Sequence, residues 1–197
     1  MSNTKNILIV GVGGQGTLLA SRILGNTVIG QGYDVKVSEV HGMSQRGGSV
    51  VTYVKYGDKV YSPIIGKGEA DIILAFELLE AYRALPYLKK GGKMIINTQQ
   101  INPMPVITGA ASYPENIVEK LDALCDLTAL DALEKAKEAG NIKALNVVLI
   151  GVMAKNTDIP YECWLDTVKK TVPEKFLEAN IKAFDIGYSI GRPASNH

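Results

Sequence analysis

Two glycine-rich stretches carry the groups that could do chemistry. The first, Gly11-Val12-Gly13-Gly14-Gln15-Gly16, is a G-x-G-x-x-G pattern that follows an apolar run and opens a helical one. In that setting each glycine has a physical job. Gly11 permits a tight turn, Gly13 lets a phosphate approach the backbone, and Gly16 lets helix and strand pack closely. The helix N-terminus behind them offers unpaired N–H groups and a partial positive charge to an anion. On this reading Gly11, Gly13, Gly14, Gln15 and Gly16 form a cofactor-binding turn. The alternative is a turn kept for packing alone, with no ligand.

The second stretch begins at the end of the next strand-like run, where ligands bind in open α/β sheets. Within ten residues it presents a carboxylate (Glu39), an imidazole (His41), a hydroxyl (Ser44), an amide (Gln45) and a guanidinium (Arg46), with Gly42, Gly47 and Gly48 to fold the backbone tightly. A plain connector has no need of so many different hydrogen-bonding groups. Arg46 could clamp a phosphate or carboxylate bidentately, and His41 could donate or accept near neutral pH. The cofactor-binding candidates here are Glu39, His41, Ser44, Gln45, Arg46, Gly47 and Gly48. Two local alternatives stand beside them: Arg46 pairs with Glu39 and holds the loop, or His41 is a satisfied structural histidine. A third makes Glu39 the ribose-binding acid of an NAD site. That reading predicts a free-standing oxidoreductase with a catalytic proton donor, and no S/Y-x-x-x-K dyad stands at a convincing place.

The elements that must position these loops read as alternating strands and helices. Residues 6–10 are a short β-branched run ending on glycine, as a buried parallel strand reads. From Gly16 to about Gly30 the pattern is helical, with Ala20, Ile23, Leu24, Thr27 and Val28 on one face. A second strand is expected at 35–38. Residues 49–56 and 59–62, separated by Gly57-Asp58, are expected to pair as a β-hairpin inserted where a plain βαβ unit would go to a helix. Strands follow at 71–76 and 93–97 with a helix across 77–85, and Pro103 and Pro105 restrict 101–107 to loop or edge strand. The C-terminal third reads as helices over 114–124, 131–139 and 142–155, then as two opened by Pro160 and Pro173. The helix over 142–155 is apolar nearly all round and is expected to be buried. The fold class is α/β: a Rossmann-like, doubly wound, mainly parallel sheet with a β-hairpin insertion and a helical C-terminal third. Residues 1–197 are expected to form a single domain, frayed over 192–197.

Composition narrows the chemistry. The 197 residues are 46% apolar, and 21 Lys plus Arg against 20 Asp plus Glu leave a net charge of +1. That balance gives no reason to expect nucleic acid or an anionic membrane as partner. The longest apolar stretch, 144–154, is interrupted by Asn146 and is too short to span a bilayer. No secretory signal is read in the first residues, so a cytoplasmic protein is expected. With two cysteines, Cys125 and Cys163, and no C-x-x-C, the chain alone holds neither an iron–sulfur cluster nor a Cys₄ zinc site. The pair could form a disulfide, but their helix-like apolar contexts favour buried thiols.

Taken in order, the G-V-G-G-Q-G turn and E-x-H-G-M-S-Q-R-G-G resemble the γ domain of the 2-oxoacid:ferredoxin oxidoreductases. The resemblance extends to D-I-I-L-A-F-E at 71–77 and to K-A-L-N-x-x-x-I-G around Asn146 and Gly151, and so spans almost the whole chain. The free-standing size and the H-G-M-S-Q-R-G-G form are most similar to the β subunit of the indolepyruvate type. The resemblance implies a subunit active only in a complex. The enzyme would oxidatively decarboxylate aryl pyruvates, using thiamine diphosphate, magnesium and 4Fe–4S clusters on a larger partner, with coenzyme A as acyl acceptor and ferredoxin as electron acceptor. This chain lacks a G-D-G…N stretch of the kind that holds thiamine diphosphate, so it would supply binding surface rather than the redox centre. A γ subunit for pyruvate, 2-oxoglutarate or 2-oxoisovalerate, and a nucleotide-sensing regulatory domain, are the remaining alternatives.

Overall fold

Residues 4–42 and 48–191 are described by a computed structural model. The first apolar run forms strand β1 (Lys5–Val12), and its Ile7, Leu8, Ile9 and Val10 are all 2% exposed or less. Both faces of a central strand are covered, which is why the run is apolar without alternation. Beside it lie β4 (Ala70–Ala75), β5 (Leu88–Asn97) and β6 (Asp126–Leu130), all parallel to one another in turn. On the other side stand β3 (Ser49–Gly57) and then β2 (Asp34–His41) at the edge, giving the order β2-β3-β1-β4-β5-β6. Only β3 runs against the rest, antiparallel to both β1 and β2. The sheet is thus mainly parallel, as expected.

The inserted hairpin is not the one expected. Strand β3 pairs with β2 along eight positions, from Asp34↔Gly57 to His41↔Val50, and 59–62 form no strand. The Gly57-Asp58 pair is a local turn signal, but partner choice is settled by what each strand can bury. In 59–62 only Val60 is buried and Tyr61 is 88% exposed, so that segment has no apolar face to lay on a sheet. Both edges of β3 are taken instead by longer strands.

Two further elements depart from the sequence reading. Strand β6 was not expected within the helical third; its Asp-Leu-Thr-Ala-Leu contains one β-branched residue, and its place comes from Leu127 and Leu130 entering the two core layers. Residues in the proline-restricted loop form one helical turn, α3 (Met104–Ile107), with Pro105 in the first turn, where a missing N–H costs nothing.

Helices cover both faces. One layer holds α1 (Thr17–Gly30), α5 (Ala132–Glu138), α6 (Leu145–Lys155), α7 (Tyr161–Thr171) and α8 (Leu177–Ile190); the other holds α2 (Leu78–Ala84) and α4 (Ile117–Asp122). Helix α6 is buried from Asn146 through Ala154, as its all-round apolarity predicts. Helices α6 and α8 meet backbone to backbone at Gly151 and Gly187, where no side chain intervenes. Cys125 and Cys163 are free, and they pack against opposite layers. Both are half-buried rather than buried as expected, because each lies on the rim of its layer; burial still pushes the Cys125 thiol pKa up. Among the described residues no helix is long and apolar enough to cross a membrane.

Candidate functional site

The G-x-G-x-x-G turn connects β1 to α1 at the carboxyl end of the sheet. Its glycines divide into those the fold needs and one it does not. Gly16 is the N-cap of α1 with φ +88°, and a Cβ there would lie 2.7 Å from Asn146 Nδ2. It is excluded from other residue types on both counts. A Cβ on Gly11 would meet Phe76 Cβ at 3.0 Å, so its smallness serves strand packing. Gly14 also has positive φ, at +93°. Gly13 differs: its φ is ordinary, and a Cβ would have only Gly48 O nearby, at 3.8 Å. Gly16→Ala is therefore expected to cost roughly 3 kcal/mol, combining left-handed strain with overpacking. Gly13→Ala is expected to stay within about 0.5 kcal/mol of the parent. Urea unfolding of the two variants measures both, and equal losses would contradict this division.

Gln15 closes the turn. Its Oε1 accepts from Val12 N at 2.7 Å, and its Nε2 donates to Phe76 O at 3.0 Å and to Gln99 Oε1 at 3.1 Å. The fully buried Asn97 donates to the same Phe76 carbonyl at 3.1 Å and accepts from Ala132 N at 3.0 Å. Side-chain amides thus tie the ends of β1, β4 and β5 and the start of α5 into one rim. Gln15, a binding candidate in the sequence, has both ends of its amide engaged in that rim.

The second glycine-rich stretch is brought to the same end. Gly13 N donates to Gly48 O at 3.0 Å, and Gly42 N donates to Ser49 O at 2.8 Å, closing the base of the 42–48 segment against the turn. Ser44, Gln45, Arg46 and Gly47 lie outside the described residues, and so does any pairing of Arg46 with Glu39. Glu39 is half-buried; its Oε1 lies 2.8 Å from His41 Nε2 and its Oε2 accepts from the buried Thr52 hydroxyl at 2.9 Å. Strand β3 separates this pair from the first turn, since Glu39 stands opposite Thr52 and Thr52 opposite Ile9. Two strand spacings, about 10 Å, put Glu39 on the far side of β3 from β1. The acid and the turn do not come together as an NAD site requires.

Other groups at this end were not among the site candidates read from the sequence. Glu77, 1% exposed, ends the β4 run and caps α2; it accepts from Glu80 N at 2.9 Å, Ile101 N at 3.0 Å and the Tyr113 hydroxyl at 2.5 Å. Burial first, and the Glu77 carboxylate second, hold the Tyr113 phenol pKa far above its ordinary value. Glu80, 5% exposed, accepts from Ser49 Oγ at 2.5 Å and pairs with Arg83 at 2.7 Å, which pins the start of β3. Between α1 and α6 lies an open pocket of about 450 Å³ lined by Gly14, Gly16, Gln99, Lys143 and Asn146, with Gln15, Ile142 and Leu145 completing it. In the sequence Asn146 stood out as the single polar residue in the run 144–154 and as part of the K-A-L-N-x-x-x-I-G stretch. Among the described residues no cluster of three or more His, Cys, Asp or Glu is arranged to hold a metal ion.

Comparison with known proteins bears on this arrangement. Residues 6–190 match the family described as pyruvate ferredoxin/flavodoxin oxidoreductase. The chain is 43% identical to the indolepyruvate oxidoreductase subunit IorB of Pyrococcus horikoshii, covering 97% of this chain and 98% of that one. Among solved structures it is similar to the keto/oxoacid ferredoxin oxidoreductase γ subunit of Geobacter sulfurreducens, with a TM-score of 0.71 and 26% identity over 94% of this chain and 97% of that one. The same fold recurs in the 2-oxoglutarate:ferredoxin oxidoreductase of Magnetococcus marinus, with a TM-score of 0.74 at 17% identity. There all of this chain covers 34% of a longer one.

Proposed function

Because this chain belongs to the pyruvate ferredoxin/flavodoxin oxidoreductase family, we propose that it is the small subunit of an indolepyruvate-type 2-oxoacid:ferredoxin oxidoreductase. In this reading it forms one cytoplasmic domain that works only with a larger subunit. The observation that carries it is the near full-length 43% identity to an IorB subunit. The two glycine-rich stretches that prompted the family reading also meet at one end of the sheet, through Gly13 and Gly48. The overall reaction converts an aryl pyruvate and coenzyme A to an acyl-coenzyme A and CO₂, with two electrons passed to ferredoxin.

The residues present do not fit a cluster or a thiamine diphosphate site. The sequence has two cysteines, and they face opposite layers, whereas a 4Fe–4S cluster takes four thiolates. We assign clusters, magnesium and thiamine diphosphate to the partner. What this chain contributes is a shaped, anion-tolerant rim. Gly11, Gly13, Gly14 and Gly16 hold the turn open beside the partner, and Gln15 fixes it. Glu39, His41, Ser44, Gln45, Arg46, Gly47 and Gly48 supply polar contacts to substrate or to the coenzyme A phosphates. His41, with 63% of its side chain exposed, can reach outward while paired to Glu39.

Reconstitution tests the reading. Co-expression with the larger subunit is expected to give indolepyruvate- and coenzyme A-dependent reduction of ferredoxin or a viologen dye, absent from either chain alone. A panel of pyruvate, 2-oxoglutarate and branched-chain oxoacids ranks the substrates. Preference for one of those over aryl pyruvates would replace the substrate assignment. A complex inactive with every oxoacid would overturn the reading.

A further inference from the structure

We propose that the connection between β5 and α4 is the surface on which the larger subunit docks, through an apolar crown formed by Met104 and Ile107. The connection runs over 98–116 and holds a single helical turn, α3. A connection of that length with so little regular structure is uncommon in a compact domain and usually serves a function. Residues 98–114 include no Asp, Glu, Lys, Arg or His, in a chain that is 21% charged. They nonetheless lie at the surface: all of 107–112 are exposed, with Met104 at 62% and Ile107 at 64%. Surface that stays in water carries charge, whereas the centre of a protein–protein interface is depleted of charge and enriched in methionine.

The crown is held rigidly. Both feet of the loop reach one buried carboxylate, because Glu77 Oε1 accepts from Ile101 N at 3.0 Å and from the Tyr113 hydroxyl at 2.5 Å. Between the feet, Ile107 N donates to Pro103 O at 3.1 Å, Thr108 N to Met104 O at 2.9 Å and Ala111 N to Pro105 O at 3.0 Å. Met104 and Ile107, three apart on the α3 turn, share one face. Apolar side chains carried on an ordered loop lose little further freedom when they dock. Position selects the occupant. At the foot of the loop stands Gln99, whose carbonyl accepts from Leu78 N and whose Oε1 accepts from Gln15 Nε2. The loop therefore projects from the end of the sheet that carries the two glycine-rich stretches, the end that faces the larger subunit under the proposed function. Without a cation, 98–114 offers nothing to an anionic membrane or nucleic acid. The matching surface on the larger subunit is apolar and uncharged, since a charge placed there would be desolvated with no group on this segment to pair it.

This inference deepens the functional reading and rests on it for the identity of the partner. Isothermal titration of the full chain with the purified larger subunit tests it. Met104→Asp and Ile107→Asp are each expected to weaken assembly about tenfold or more. Melts of the free chain are expected to stay unchanged, because both side chains are exposed. Ile107→Ala, which adds no charge, is expected to weaken assembly severalfold and carries the test should an aspartate variant unfold. Leu124→Asp, at a position 65% exposed at the opposite end of the sheet, is expected to assemble as the parent does. Parent-like affinity of the Met104 and Ile107 variants would overturn the surface. A free chain that sediments as a dimer, and as a monomer after Ile107→Asp, would put a second copy in place of the larger subunit. Parent-like assembly of the variants into an active enzyme refutes this inference alone. A complex that Ile107→Asp breaks but that oxidises no oxoacid refutes the functional reading alone, and no complex with the parent chain refutes both.

Discussion

Gly187→Ala is expected to destabilise the protein by about 3 kcal/mol or more, although alanine is the better helix former. Propensity alone would favour the variant by about 1 kcal/mol. Against it stands the crossing of α8 on α6. A Cβ at Gly187 would lie 2.0 Å from Val148 O and 2.9 Å from Val148 C, and a Cβ at Gly151 would lie 2.3 Å from Phe184 O. The obstructing atoms are backbone carbonyls of a buried helix, which cannot rotate aside as a side-chain end would. The two helices would have to part by about 1 Å along a close-packed contact. Urea unfolding decides between the two effects. A variant as stable as the parent would mean that the helices slide past each other at little cost.

Glu77→Leu is expected to cost about 4 kcal/mol and to abolish activity in the reconstituted enzyme, while Glu77→Gln costs roughly half as much. The carboxylate is 1% exposed and answers three donors: Glu80 N, Ile101 N and Tyr113 Oη. Leucine leaves all three without an acceptor, the Glu80 N–H buried and the other two half-buried. Glutamine keeps one oxygen, which serves Ile101 and Tyr113 or Glu80 but not both sets. The effect on activity follows from the Ile101 bond, because that tether holds the segment carrying Gln99 against the pocket. Thermal melts, together with the KM and kcat of the assembled enzyme, read both losses. Wild-type stability for Glu77→Leu would show that water or a backbone shift replaces the carboxylate.

What the sequence revealed depended on whether a feature is local. The strand–turn–helix at Gly11–Gly16 was legible because covalent spacing alone demands it, and α6 was legible because a helix apolar on every side has one place to go. The inserted hairpin was half legible. A reversal after 34–41 was visible only as a glycine-rich segment, and the stronger turn signal at Gly57-Asp58 pointed to a segment with nothing to bury. Strand β6 was invisible to periodicity because five residues with one threonine carry no strand signature; β5 recruits them across the sheet. Glu77 and Glu80 fell within the helix expected over 77–85, Glu77 also ending the D-I-I-L-A-F-E stretch, but nothing in sequence announces that Tyr113 and Ser49, 36 and 31 residues away, come back to meet them. Asn146 was visible as an interruption and within K-A-L-N-x-x-x-I-G, but its place against Gly16 became apparent only when α6 was laid beside the turn.

The rim that Gln15 makes with Phe76 O, Asn97 and Gln99 contains no ionisable group. Carboxamides neither titrate nor attract counterions, so the hydrogen bonds that Gln15 makes to Val12 N and Phe76 O do not themselves depend on pH or ionic strength. Salt therefore screens the charges around this end of the sheet without loosening the bonds that close the turn. The Glu39–His41 pair, on the far side of β3, can change its charge or be screened while those carboxamide bonds stay in place.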